Sequence, residues 1–359
     1  MSNYDIIIKN GRVWNGTRFL NSVDSIAVKN GIISEIGDIT ENADFIFDTK
    51  GAIISPGLVD IHTHIKGVSC DEFGVPIEAV SYPNGVTTVV EACADKPNGK
   101  NHLDNMCLNS YVFITTKVKN NTFDADSADN LLSSYGDKVL GLKVFFDIAS
   151  SEVTDTKPLS EICEYAHKRN LKVLVHSTGS PVPMDELLSC LVKGDICTHI
   201  FHGGKNNVLD DDFECILKAR KRGVILDNGM AGGVHTDFTV AKKAIESGFL
   251  PDTISTDITK LSAFVRGGNY GLTMCMSIMR NLGMSEKEIL RCVTYSPAKA
   301  IEKESICGIL EVGRKADVCV LDYTNNSFDI SSKWGDNVKG MMGYQNMLTV
   351  VGGKVIYRR

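Results

Sequence analysis

The chain has 359 residues, 43% of them hydrophobic, which suffices for a large core and fits an α/β barrel with an appendage. Its formal charge of −6 and the lack of any Lys/Arg block exclude an electrostatic footprint for nucleic acid. No apolar run is long enough to span a bilayer, the start "MSNYDIIIKNG" lacks a signal-peptide pattern, and the eleven cysteines form no CxxC pair, so reduced thiols in a cytoplasmic protein are expected.

The first fifty residues read as short β-branched strands broken by Asn10-Gly11, Asn15-Gly16 and Asn30-Gly31, each a hairpin signal. The end of the chain reads the same way, with "ADVCVLDY" and "MLTVVGGKVIYRR" as strands. Neither end can bury a good core alone, so residues 1–54 and 307–359 are expected to share one small β-sandwich beside a barrel of residues 55–306.

Between the ends, eight apolar runs alternate with helical stretches. They are Leu58–Ile65, Thr87–Ala92, Tyr111–Lys117, Val139–Phe146, Lys172–Thr178, Ile196–Phe201, Val224–Gly229 and Thr253–Ile258. Eight βα repeats with continuous apolar strands predict a closed (β/α)8 TIM barrel, an α/β fold.

Reactive groups of such a barrel belong at the C-terminal ends of its strands. His62 and His64 end the first strand, and their i, i+2 spacing turns both to one side, with Asp60. Lys143 interrupts the apolar fourth strand, His176 ends the fifth, His199 the sixth and Asp257 the eighth. Each has a bland alternative: a hydrogen-bonded core histidine, a helix cap at Asp257, a snorkelling amine at Lys143. Six metal-capable groups from five strands on one rim exceed what such accidents supply. A carboxylated Lys143 would be an anion able to bridge two cations, and burial would favour the neutral amine that carboxylation needs.

"PGLVDIHTHI", "LGLKVFF", "VLVHS", "DICTHIFHGGKNN", "PDTISTDI" and "GRKADVCVLD" make the chain resemble the amidohydrolase superfamily, in its dihydroorotase-like and deacetylase branch. The resemblance implies two divalent metal ions, zinc by donor type, and a homo-oligomer acting on a small molecule. It places His62, His64 and Asp257 on the more buried ion and His176 and His199 on the outer one. Lys143, as a CO2-derived carbamate, would bridge them. It further implies hydrolysis of an amide or ester acyl bond by a metal-bridging hydroxide, with Asp257 as the catalytic proton shuttle. Dihydroorotase or another cyclic amidase is the alternative, followed by a purine deaminase and a non-catalytic scaffold.

The chain departs from the dihydroorotase pattern at Lys66, where an arginine would grip the substrate carboxylate. It has Met230 where the subgroup often carries a histidine after strand seven. His235, five residues on, is a candidate substitute, although a solvated loop residue is the preferred reading. Substrate contacts are expected from His202, Lys205, Asn206 and Asn207 after strand six, and from Arg266 with the adjoining "GGN" after strand eight.

Overall fold

Eight parallel strands form the centre of the molecule, in a computed structural model that describes residues 3–21, 24–119, 121–151, 153–265, 270–340 and 343–359. Six N-terminal strands precede them: β1 (Tyr4–Lys9), β2 (Arg12–Val13), β3 (Ser25–Lys29), β4 (Ile32–Gly37), β5 (Ala43–Asp48) and β6 (Ile53–Pro56). The barrel follows with β7 (Leu58–Thr63), β8 (Val86–Ala94) and β9 (Asn109–Thr115). A small hairpin of β10 (Val118–Lys119) and β11 (Thr122–Phe123) interrupts it. β12 (Val139–Phe145), β13 (Lys172–His176), β14 (Ile196–Thr198), β15 (Ile225–Gly229) and β16 (Thr253–Ser255) complete it.

The strand order β7-β8-β9-β12-β13-β14-β15-β16 follows the chain, as in a barrel wound one βα unit at a time. The two ends of this sheet meet at a parallel bridge between Thr63 and Ile258, beside hydrogen bonds from Asp257 N to His62 O (2.8 Å) and from His64 N to Ile258 O (3.2 Å). The seam of the barrel therefore lies at His62, His64 and Asp257. The sixth and eighth strands are shorter than expected, because the chain turns into the left-handed region at His199 (φ 65°) and Asp257 (φ 47°). Such a conformation costs about 1–3 kcal/mol at a non-glycine residue and collects at functional sites.

The termini join in one five-stranded sheet, ordered β2-β6-β17-β20-β21, where β17 is Val318–Thr324, β20 Gly343–Val351 and β21 Lys354–Arg358. β17 pairs antiparallel with N-terminal β6 and with β20. A four-stranded sheet, β4-β3-β1-β5, faces it. Ile6, Ile8, Val28 and Ile54 pack with Val318, Val320, Leu348 and Val350 in one buried cluster, so each end supplies half of a core neither could form alone. Asn30-Gly31 makes the expected hairpin between β3 and β4, with φ of 52° and 80°. Asn10-Gly11 does not. β1 and β2 enter different sheets, and Gly11 is the crossing point, where a Cβ would lie 2.6 Å from Ile54. A further hairpin, β18 (Phe328–Ser331) and β19 (Asn337–Gly340), leaves the sandwich toward the barrel rim.

Candidate metal centre

A cavity of about 820 Å3 opens at the C-terminal end of the barrel and contains His62, His64, Lys143, His176, His199, His235 and Asp257. Two groups of donors lie in it, each with its ligand atoms within 4.8 Å of one another: His62, His64 and Asp257, and His176, His199 and His235. Asp257 joins them. Its Oδ1 is 2.9 Å from His64 Nε2 and 3.3 Å from His62 Nε2, while its Oδ2 is 3.7 Å from His235 Nε2 and 3.8 Å from His199 Nε2.

Hydrogen bonds at the far ring nitrogen decide which nitrogen each histidine offers. His62 Nδ1 meets the Thr198 hydroxyl at 3.0 Å, and that hydroxyl donates to Asp227 at 2.7 Å, so Nδ1 holds the proton and Nε2 is the free donor. His64 Nδ1 lies 3.2 Å from Ser69 Oγ and 3.4 Å from Glu91 Oε1. Glu91 is itself fully buried and held by the backbone N–H groups of Ile65 and Cys93. His199 Nδ1 donates to Gly229 O at 2.6 Å. His176 is turned the other way, with Nε2 on Thr178 O at 3.1 Å, which leaves its Nδ1 for the cavity.

Burial pushes His62, His176 and His199 well below the ordinary histidine value, helped by the Lys143 charge and by neighbouring imidazoles. They are neutral, as ligands must be. Burial also opposes charge on His64, yet its bonds to Asp257 and Glu91 raise it to about 9. His64 thus lies between two carboxylates, a surrounding of negative charge that also suits a cation. Burial would raise Asp257, but His64, His235 and Lys143 outweigh it and keep the carboxylate below its usual range. Lys143 is fully buried in β12, its Nζ 3.4 Å from His62 Nε2, and burial pulls its amine toward the neutral form.

The residues fit a divalent metal pair. His199 Nε2 is buried without any hydrogen-bond partner. Its lone pair, and those that the hydrogen bonds leave free on His62 and His176, open into the cavity that Asp257 also lines. Imidazole and carboxylate donors suit zinc and its neighbours. A third group, Cys163, His167 and Asp195, does not fit. Asp195 is taken up by Val173 N, Val192 N and His167, and it sits at the start of β14, the opposite rim.

The other expected residues divide. His235 is not a solvated loop residue: its ring centroid lies 4.2 Å from that of His199, and its Nδ1 meets Thr178 Oγ1 at 3.1 Å. A short 3-10 turn after β15, Ala231–Gly233, carries it inward, and burial first, then His176, lowers it to about 3. Asp60 is fixed by Thr256 N and Oγ1 and does not line the cavity. His202 is buried, with Nδ1 accepting from Gly204 N at 3.2 Å. Lys205 is exposed and outside the cavity lining. Asn206 donates to Ser180 O and Asn207 to Gly204 O, so both shape their loop rather than face the cavity. Arg266 and the adjoining Gly267–Asn269 lie outside the described residues.

Sequence reasoning passed over Glu91, Thr198 and Gly229, and also Lys333 and Trp334, which line the cavity from the turn between β18 and β19. Glu91 carried the signal that found Lys143, a charge inside an apolar run. Lys333 and Trp334 carried none, because their place depends on a hairpin from the other domain.

Residues 147–356 match the Amidohydrolase family, more than half of the chain, and the chain belongs to that family of metal-dependent hydrolases. It is 29% identical to a deacetylase of Brucella anthropi, over 93% of this chain and 88% of that one. It is 25% identical to a deacetylase of Enterococcus faecalis, over 98% and 99% of the two chains. Among solved structures, a dihydroorotase superposes with a TM-score of 0.85 at 24% identity, covering 98% of this chain and 97% of the other, a likeness of fold.

Proposed function

We propose that this hydrolase removes an acyl group from an amide or ester, as a deacetylase, using two zinc ions bridged by a carboxylated Lys143. The observation that carries the reading is Asp257, whose two oxygens turn to the two histidine groups separately. His62, His64 and Asp257 would hold one ion, His176 and His199 the other. In its neutral form, which burial favours, the Lys143 amine would attack CO2, losing a proton and becoming a carbamate between them.

When bound, the ions supply an activated water at neutral pH and an electrophile for the acyl oxygen. Asp257, ionised and facing both groups, accepts the proton of the attacking water and returns it to the leaving amine or alkoxide. Glu91, Thr198 and Gly229 hold the imidazoles in their tautomers. His235, neutral and beside Asp257 Oδ2, is placed to hydrogen-bond the acyl oxygen as charge develops there.

The deacetylases of B. anthropi and E. faecalis support the acyl chemistry, since they align over nearly the whole chain. Lys66 speaks against a dihydroorotase, being exposed and outside the cavity lining. A panel of N-acetyl, O-acetyl and cyclic-amide substrates on the zinc-loaded protein tests the reading. Release of acetate is expected. Turnover of cyclic amides alone, or deamination of a purine, would replace it.

A further inference from the structure

We propose that a second cavity, between the barrel and the sandwich, is a binding site for a small neutral aromatic amide; the proposal goes beyond the hydrolase reading and stands independently of it. The cavity holds about 610 Å3, the size of a small-molecule site. The 3-10 turn Tyr82–Asn84 and the helix Leu272–Asn281 line it from the barrel, β20 from the sandwich and β18 from the hairpin. Among the described residues it shares none of its lining with the metal cavity.

Several polar groups of this wall are already committed. Asn84 Oδ1 accepts from Thr273 N and Oγ1, and its Nδ2 donates to Val80 O at 2.8 Å. Ser277 Oγ donates to Thr273 O at 2.6 Å and accepts from Tyr344 N at 2.8 Å. Tyr270 gives its hydroxyl proton to Thr256 O. Two atoms stand apart from this network. Tyr344 and Asn346 lie two residues apart on β20, so their side chains leave one face of the sheet, and they are 4% and 2% exposed. Tyr344 Oη and Asn346 Oδ1 are buried and have no hydrogen-bond partner among the described residues. The Asn346 amide cannot be reversed. Its Nδ2 donates to Tyr82 O at 3.1 Å and to Thr349 Oγ1 at 2.7 Å, and that hydroxyl gives its own proton to Tyr82 O.

Buried polar groups are nearly always matched, so two unmatched ones on the wall of one cavity call for a ligand that completes them. Asn346 Oδ1 needs an N–H, and the Tyr344 hydroxyl has a proton to donate. A single carboxamide carries both the donor and the acceptor. The remainder of the lining sets the body of the ligand. Val80, Met274, Phe328 and Ile330 are half-buried apolar residues packed against the core, with Tyr357 beside them. The charged side chains of the described lining are Asp329, paired with Lys339 at 3.1 Å, and Arg359, one of each sign, so the wall selects no ion.

The test is calorimetric titration of benzamide into the full chain. Binding should weaken about threefold to tenfold in Tyr344→Phe, the scale of one neutral hydrogen bond. The melting temperature of that variant should not fall, because the lost hydroxyl had no partner in the protein. Ala79→Trp brings an indole into the cavity from an exposed position of the short helix Ile77–Ser81 and should abolish binding. N,N-dimethylbenzamide, which keeps the carbonyl and lacks the N–H, should bind the wild type more weakly than benzamide. Stripping zinc with a chelator should leave the benzamide affinity unchanged. Absence of binding, wild-type affinity in either variant, or equal affinity for the two amides would overturn the site. Binding that disappears with the zinc would also overturn it, since the amide would then sit among the histidines.

Discussion

His62 Nε2 and His64 Nε2 both point at one oxygen of Asp257, at 3.3 and 2.9 Å, although Asp257 is almost two hundred residues away in the chain. The barrel seam makes this contact: Asp257 N bonds to His62 O, so the first and last strands present their reactive groups to each other. Loss of the carboxylate charge should therefore be felt in chemistry more than in architecture. Asp257→Asn keeps the shape and one oxygen donor. It should retain most of its metal and lose about 10²–10⁴ in activity per bound metal, with the acidic limb of the pH–rate profile gone. Equal activity per metal in the two proteins would place the base elsewhere, with His235 next in line.

Lys143→Ala should lose metal as well as activity, because the bridge from His62 to the second group would then fall to Asp257, whose Oδ1 already serves both His62 and His64. Short carboxylates should restore part of both. In wild type, growth of a carbamate resonance with isotope-labelled bicarbonate would report the modified side chain. Its absence in a fully metal-loaded sample would refute the bridge.

Glu91 shows how an indirect residue acts. Its oxygens fix His64 Nδ1 from behind and are held by two backbone N–H groups. Glu91→Gln should cost about 10–100-fold in metal affinity, the usual price of a lost carboxylate–histidine contact. Competition with a chromophoric chelator measures it, and unchanged affinity would limit Glu91 to the fold.

The candidate metal donors were legible in the sequence because barrel strands are regular. Once eight apolar runs are placed, a polar residue at a strand end has only one rim to occupy. His235 was not, since its position depends on the Ala231–Gly233 turn with Ala231 and Gly232 at positive φ, a geometry that periodicity does not encode. Asn10-Gly11 misled for a related reason. A local turn signal gives a change of direction, while the sheet each strand joins is decided by distant partners such as β6 and β17. Lys333 and Trp334 needed both domains in place before they had any relation to the histidines.

The shared sandwich core predicts an effect far from the cavity. Leu348 is fully buried among Ile54, Val318 and Val320. Leu348→Ala should lower the unfolding free energy by roughly 2–5 kcal/mol, read from denaturant midpoints, with activity per folded molecule unchanged. Deleting the chain from Gly343 onward removes β20 and β21 and bares this face, so that protein should be insoluble; a soluble and active truncation would show that the N-terminal strands fold without them.

Gly229 gives the sharpest geometric prediction. It ends β15, and its carbonyl receives the proton of His199 Nδ1 at 2.6 Å. A Cβ there would fall 2.5 Å from Thr198 Oγ1 and 2.8 Å from His199 Nδ1, closer than real atoms approach. Thr198 holds His62, and His199 belongs to the second group, so one methyl would press on residues of both candidate metal groups at once. Neither can retreat easily, since Thr198 is pinned by Asp227 and His199 already sits at a left-handed φ of 65°. Gly229→Ala should therefore fold, with barrel circular dichroism intact, and bind metal at least about tenfold more weakly, as the loss of an outer-shell contact does. Normal metal content and normal turnover in this variant would mean that the imidazoles need no such support, and that the ions are held by Asp257 and Lys143 alone.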